Sequence, residues 1–326
     1  MTTRGFLLGK FMPPHAGHSA LVDAARRLVD HLTILVCWLP DDPIAGELRL
    51  EWMRQLYPDC RVAGHGAIVP QHPADSEEFW PVWRDIVRSA HPEPIDFLFA
   101  GEEYGLDLAR HAGGKFVPLG GRVLAADDRL ARLSASAVRA DPGAHWDLLP
   151  PPVQAHYRRS VCLHGVESTG KSTLASLLAR RHGTLWVGEY GRSHCETYRD
   201  PLTQADLLLI GRAQQAMIAA TAPWAGPLLI ADTDALMTAA WCEMLLGEVP
   251  EELLRQRKAD LYLLLEPDLP WVDDGTRFFA TAAEQARFAE ITERILEASG
   301  VRFERVGGTG EDRVAQAEAA IARSLP

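Results

Sequence analysis

Two short stretches combine residue types suited to handling phosphate. In GKFMPPHAGHSAL (9–21), His15 and His18 stand three residues apart among glycines and prolines, where an apolar run gives way to a helical pattern. Imidazoles at i and i+3 beside a helix start would flank a ligand held at that helix N-terminus. From there they can donate hydrogen bonds to a phosphate whose charge grows during transfer. A metal site is the rival reading of the pair, but no third ligand stands at a recognisable spacing. Capping and packing histidines are the plainer alternative.

The second stretch, GVESTGKST (165–173), satisfies G-x-x-x-x-G-K-[ST] through Gly165, Gly170, Lys171 and Ser172. Glycines let the backbone wrap a phosphate with its N–H groups turned inward, so Glu167, Ser168, Thr169 and Thr173 are expected around the same ATP. Lys171 can neutralise charge between the β- and γ-phosphates, and the Ser172 hydroxyl can hold Mg²⁺. Carboxylates follow later strand-like runs. Glu189, after TLWVG, could accept a proton from an acceptor hydroxyl. Asp232 and Asp234, after PLLIA, could support Mg²⁺ directly or through water. WVDDGTRF (271–278) reads as a mobile lid delivering Arg277 to the transferring phosphoryl group, or as a plain surface turn.

RLSASAVRADP (132–142) supplies Ser134, Ser136 and Arg139 at another helix opening. Hydroxyls, free N–H groups and a guanidinium converging there suit a triphosphate tail. Trp80 and Trp83 in EEFWPVWRDIV could stack on a cationic ring, although their spacing also suits one buried helix face.

The elements that must carry these residues alternate. GFLLGK, LTILVCWL, IDFLFAGEEYG and KFVPLG read as strands, with a helix over 18–30 between the first two. The alternation restarts with VCLHG and continues through TLWVGEY, PLLIAD and LYLLLE, with helices over 203–221, 234–246 and 311–324. Strands alternating with helices predict α/β architecture with parallel sheets. Pro150, Pro151 and Pro152 interrupt the pattern in DLLPPPVQAHYRRS, which places a domain boundary there and gives domains of 1–150 and 151–326.

With 326 residues, 47% apolar and 24% charged, the composition is that of a folded globular protein of about two domains. Five cysteines without a C-x-x-C pair signal neither a disulfide framework nor a zinc knuckle. No apolar run approaches the roughly 18 residues of a membrane helix, so a cytoplasmic protein without membrane insertion is expected. The net charge of −11 argues against a broad nucleic-acid footprint.

The motif G-K-F-x-P-x-H-x-G-H at 9–18, with L-S-A-S-x-x-R at 133–139, resembles the paired ATP-binding signatures of the nucleotidyltransferase superfamily. GEEYGLDLAR (101–110), the appended P-loop half, EYGR (189–192) and PWVDDGTR (270–277) resemble one family in particular. It is the bifunctional nicotinamide mononucleotide adenylyltransferase and ribosylnicotinamide kinase, the NadR type. The resemblance implies a Rossmann-like nucleotidyltransferase fold in the first domain and a P-loop kinase fold in the second. It implies ATP and Mg²⁺, with nicotinamide riboside and its mononucleotide as the other substrates. Gly9, Lys10, His15, His18, Ser134, Ser136 and Arg139 would serve ATP in the transferase. Lys171, Ser172, Glu189 and Arg277 would serve the kinase, with Tyr190, Asp232 and Asp274 near its substrate. Ser136 stands where the family usually has threonine, which keeps the hydroxyl. Some members carry a helix-turn-helix domain ahead of the transferase and act as repressors; here the first strand begins by about Gly5, so no DNA partner is expected. Whether the protein forms a homo-oligomer is left open. Two alternatives stand beside this reading: the same folds acting on other nucleosides and nucleotides, and a nucleotide-sensing regulator with one inactive site.

Overall fold

The computed structural model describes residues 2–102, 104–119, 133–270, 278–279 and 281–325. The chain divides into two compact units, Met1–His156 and Tyr157–Pro326.

In the first unit β1 (Arg4–Gly9), β2 (His31–Cys37), β3 (Arg61–His65), β4 (Phe97–Ala100) and β5 (Lys115–Pro118) form one sheet in the order β3-β2-β1-β4-β5. Every pairing is parallel, and β1 runs beside β2 from Arg4 opposite His31 to Gly9 opposite Val36. Buried on both faces, β2 carries the near-continuous apolar sequence such a strand requires. The helices are α1 (Ala16–Arg26), α2 (Gly46–Leu56), α3 (Phe79–Ala90), α4 (Tyr104–Ala112), α5 (Ala135–Ala140) and α6 (Pro151–Tyr157). Leu7, Ile34, Val36 and Phe99 centre one core, and Phe6, Leu35, Leu98 and Leu108 the other.

The second unit repeats the plan with β6 (Arg159–His164), β7 (Trp186–Val187), β8 (Leu228–Asp232), β9 (Leu261–Leu265) and β10 (Phe303–Val306), ordered β10-β9-β6-β8-β7 and again all parallel. Its helices are α7 (Lys171–Arg181), α8 (Tyr190–Tyr198), α9 (Gln204–Thr221), α10 (Ala235–Leu246), α11 (Glu251–Arg255), α12 (Ala282–Ala298) and α13 (Gly310–Ser324). Strand alternation sends Val161 and Leu163 into a core with α7 and α13, and Cys162 into one with α10 and α12.

Three local expectations are corrected. Pro151 and Pro152 open α6 instead of interrupting the pattern, because the first helical turn needs no N–H donor from them. The strand expected over IDFLFAGEEYG stops at Ala100, and its Tyr104 and Gly105 already belong to α4. TLWVGEY yields only the two-residue β7. No helix among the described residues is long and apolar enough to cross a membrane.

Candidate active sites

In each sheet the strand order reverses beside the first strand of its unit, and in each the phosphate-type turn leaves the carboxyl end of that strand. This is where ligands settle in open α/β sheets.

In the first unit the turn between β1 and α1 carries the histidines. His15 is the N-cap of α1, and its Nδ1 accepts the Gly17 N–H at 3.2 Å. That bond leaves Nε2 as the protonated nitrogen. The rings of His15 and His18 lie 3.9 Å apart between centroids, and Phe11 meets His18 edge-on at 5.1 Å. Burial, then the neighbouring His145, lowers the His15 pKa to about 4. Burial, then His15, lowers that of His18 to about 3. Both imidazoles are therefore neutral near pH 7, and the His18 Nδ1 is buried without a hydrogen-bond partner.

The structure brings the second predicted stretch to the same turn. Arg139 of α5 donates to the Met12 carbonyl, three residues before His15. Ser134 caps α5 by accepting the Ala137 N–H at 3.2 Å, and its hydroxyl lies 3.0 Å from that of Ser136. Lys10 pairs with Asp42 at 3.4 Å.

Behind it sits a contact that sequence reading missed. Arg49 of α2, fully buried, donates to the Lys10 carbonyl at 2.6 Å and to Asp42 at 2.7 Å. Burial alone would raise the Asp42 carboxyl, but hydrogen bonds from the Leu39 N–H and Arg49 hold it below the ordinary aspartate range. Arg49 lies 39 residues from Lys10, and nothing in LRLEWMR marks it as the support of the turn.

The tryptophans of α3 are engaged by the unit's own groups. Trp80 stacks on His111 at 4.8 Å and 6°, and the Trp83 indole N–H donates to the Pro70 carbonyl at 3.0 Å. Both pack against the core of Phe6 and Leu98, the helix-face alternative offered by their spacing.

In the second unit the turn between β6 and α7 forms a phosphate loop. Gly165 and Gly170 take φ of 133° and 79°, open only to glycine at low cost. At Gly165 a Cβ would also stand 2.8 Å from the Leu265 carbonyl oxygen on the neighbouring strand. Lys171 Nζ donates to the Gly165 and Val166 carbonyls, each at 3.0 Å. Buried Arg313 of α13 braces the loop from behind by donating to the Thr169 carbonyl, to Asp268 and to the Gly308 carbonyl.

A cavity of about 570 Å³ opens over the loop and gathers Lys171, Ser172, Thr173, Glu189, Asp232 and Gln214. Asp232, at the end of β8, is 1% exposed and neither oxygen has a hydrogen-bond partner. Burial raises its pKa against the pull of the Lys171 charge and of the Ser172 hydroxyl, which comes near without reaching hydrogen-bond geometry. Burial likewise raises that of Glu189, opposed by Lys171 and reinforced by Asp232. Asp234 plays a different part from its neighbour. It caps α10 through the Leu236 N–H at 2.9 Å and accepts the Tyr262 hydroxyl at 2.5 Å. The Mg²⁺ role offered to both aspartates thus narrows to Asp232, because the Asp234 oxygens are already taken.

Glu167, expected beside ATP, lines the same cavity, and its side chain accepts the N–H groups of Phe278 at 3.1 Å and Phe279 at 3.2 Å. Phe278 lines the cavity, and Phe279 stacks on Trp241, which lines it too, at 5.3 Å and 20°. Trp186, Trp241 and Gln214 are lining residues that sequence reading missed, and Arg192 of the EYGR motif joins them. They lie far from the loop in the chain, and only the fold assembles them. Tyr190 packs against the core, with its backbone N–H on Gln214. Arg277 and Asp274 lie outside the described residues. Among the described residues no group of three or more histidine, cysteine or acidic side chains is placed to hold a metal ion.

Residues 160–313 match the family model of an AAA domain. The trifunctional NAD biosynthesis/regulator protein NadR of Escherichia coli strain K12 is 27% identical over 328 residues, spanning 93% of this chain and 78% of that protein. Its Salmonella typhimurium counterpart is 26% identical over the same shares. Among solved structures, a NadR protein in complex with NR superposes with a TM-score of 0.73 at 20% identity, covering 99% of this chain and 96% of that one. A NadR protein in complex with NAD and AMP-PNP gives 0.73 at 21%, covering 100% and 96%. The resemblance to proteins of the NadR type thus extends along nearly the whole chain, in sequence and in fold.

Proposed function

We propose that the chain is a bifunctional enzyme of NAD salvage. The second unit transfers the γ-phosphoryl group of ATP to the 5′-hydroxyl of nicotinamide riboside. The first joins the resulting mononucleotide to AMP from another ATP, releasing pyrophosphate. The observation that carries this reading is the presence, in one chain, of two separate phosphate turns, each at the reversal point of its own parallel sheet. The NadR relatives, whose names state NAD biosynthesis, and the neighbours that bind NR, NAD and AMP-PNP support the choice of substrates.

In the kinase, the loop N–H groups and Lys171 would hold the phosphates, and Lys171 would exchange its two carbonyl partners for them. Glu189, recessed in the cavity with its pKa raised, would accept the proton of the attacking hydroxyl. Trp241, Trp186 and Phe278 give the cavity an aromatic wall suited to a cationic ring. A buried carboxylate with two unpartnered oxygens near a hydroxyl at a helix start fits a hard divalent cation, so Asp232 and Ser172 would hold Mg²⁺. When bound, that ion supplies neutralisation of phosphate charge. By the resemblance, Arg277 would serve the transferring phosphoryl group, with Asp274 assigned to the substrate.

In the transferase, no covalent step falls to the protein. His15 through Nε2–H and His18 would donate to the phosphates as charge builds on the departing pyrophosphate. Ser134, Ser136 and Arg139, with Gly9 and Lys10, would hold the triphosphate. Neutral imidazoles suit this task, because each offers a donor without needing a proton from solvent.

Rates measured separately on the riboside and on the mononucleotide test the assignment. Lys171→Ala should lower riboside phosphorylation by about 10²-fold or more, and His18→Ala should do the same to NAD synthesis from supplied mononucleotide. Loss of both activities from either substitution in a folded protein would overturn the two-site reading. Another nucleoside turned over far better would point to the same folds with other substrates.

A further inference from the structure

Between β7 and β8 the ladder ends early. Trp186 pairs with Ile230 and Val187 with Ala231, and no rung follows. The chemistry lies just past that end, with Glu189 on one side and Asp232 on the other. Both side chains are spared structural duty: Glu189 stands at the N-cap of α8 without capping it, and the Asp232 oxygens are unpartnered. Something other than the ladder must fix the two backbones that carry them.

Gln214 of α9 occupies that place. It is 1% exposed, and its amide spans both strands. Nε2 donates to the Gly188 carbonyl at 3.1 Å and the Thr233 carbonyl at 3.3 Å, and Oε1 accepts the Tyr190 N–H at 2.8 Å. Gly188 and Tyr190 flank Glu189, and Thr233 follows Asp232. Two facing carbonyls cannot form a ladder rung, since neither can donate; an –NH₂ with two hydrogens can join them. The partners also fix which end of the amide is which. Thr233 sits at φ 77°, a left-handed conformation that a non-glycine residue keeps only where its surroundings hold it. The bond to its carbonyl is part of that hold.

We propose that Gln214 is a positioning residue that sets Glu189 and Asp232 relative to one another through a single side-chain amide. The proposal rests on the kinase reading of this cavity. Gln214 touches no reacting atom in it and acts through the backbone on either side.

The test compares the full chain with Gln214→Met, which keeps length and apolar bulk but loses all three bonds, and Gln214→Glu, which keeps the acceptor for Tyr190 and loses both carbonyl bonds. Calorimetric binding of AMP-PNP is measured with and without Mg²⁺, and Lys171→Ala identifies the isotherm of this site. Gln214→Met should bind AMP-PNP as the parent does without Mg²⁺, while the gain on adding Mg²⁺ falls by about 10-fold, the scale of lost outer support to a metal ligand. Riboside phosphorylation should lose about 10–100-fold in kcat with little change in KM for ATP, and Gln214→Glu should follow in both readouts. If Gln214→Met fails to fold, Gln214→Glu alone decides. An unchanged Mg²⁺ gain in a folded variant, or an equal loss of AMP-PNP affinity with and without Mg²⁺, would overturn the proposal and leave Gln214 a packing residue. A parent protein that binds AMP-PNP yet phosphorylates no nucleoside would defeat the kinase reading, while the Mg²⁺ comparison would still judge Gln214.

Discussion

Proton occupancy separates the two histidines of the first unit from ordinary ones. A solvent-exposed histidine gains its proton below about pH 6.5 and would bring a charge change into the middle of the working range. Burial depresses His15 to about 4 and His18 to about 3, so their neutral forms persist throughout that range. The sign is the usual one for a buried base: the charged form is disfavoured, and protonation begins only as pH falls toward those lowered values. NAD synthesis from the mononucleotide should therefore show no histidine inflection between pH 5.5 and pH 7.5, about a unit either side of the unperturbed value. A kcat profile that changes about tenfold through pH 6.5, and loses that change in His18→Ala, would refute the neutral assignment.

At the scale of elements, the histidine turn depends on α2. Arg49 reaches from that helix to the Lys10 carbonyl and is neutralised by Asp42, itself almost buried. Removing one partner of a buried pair strands the other charge, at a cost of about 3–5 kcal/mol. Asp42→Ala should thus lower the temperature at which transferase activity is lost and leave that of the kinase unchanged; equal loss of both would show that the pair does not act locally. This contact also marks where the sequence stopped being legible. The turns at 9–18 and 165–173 could be read because their residues are nearly consecutive, and the strand–helix alternation set them at strand ends. Arg49, Gln214 and Arg313 could not, because each meets its turn or strand end from at least 19 residues away through backbone carbonyls, which carry no side-chain signature. The strand β3 was missed for a related reason: RVAGH is short, half-buried and contains a glycine, which weakens the apolar signal of a strand.

On the scale of the whole molecule, each unit has its own sheet and, among the described residues, its own buried clusters. Fragments 1–156 and 157–326 should each fold, the first joining mononucleotide to AMP and the second phosphorylating the riboside. Circular dichroism melts together with the two assays check this, and a fragment without a cooperative melt would show that its core is incomplete. The units also share one device. Arg139 holds the Met12 carbonyl across 127 residues, and Arg313 holds the Thr169 carbonyl across 144. During synthesis from the N-terminus, each turn therefore leaves the ribosome long before the arginine that fastens it. Closing loops of that length is among the later and slower events of folding. An unfinished chain can already possess its strands and first helices, but not a phosphate turn held as it is here. Nucleotide thus meets a finished cradle only after nearly all of each unit has been made.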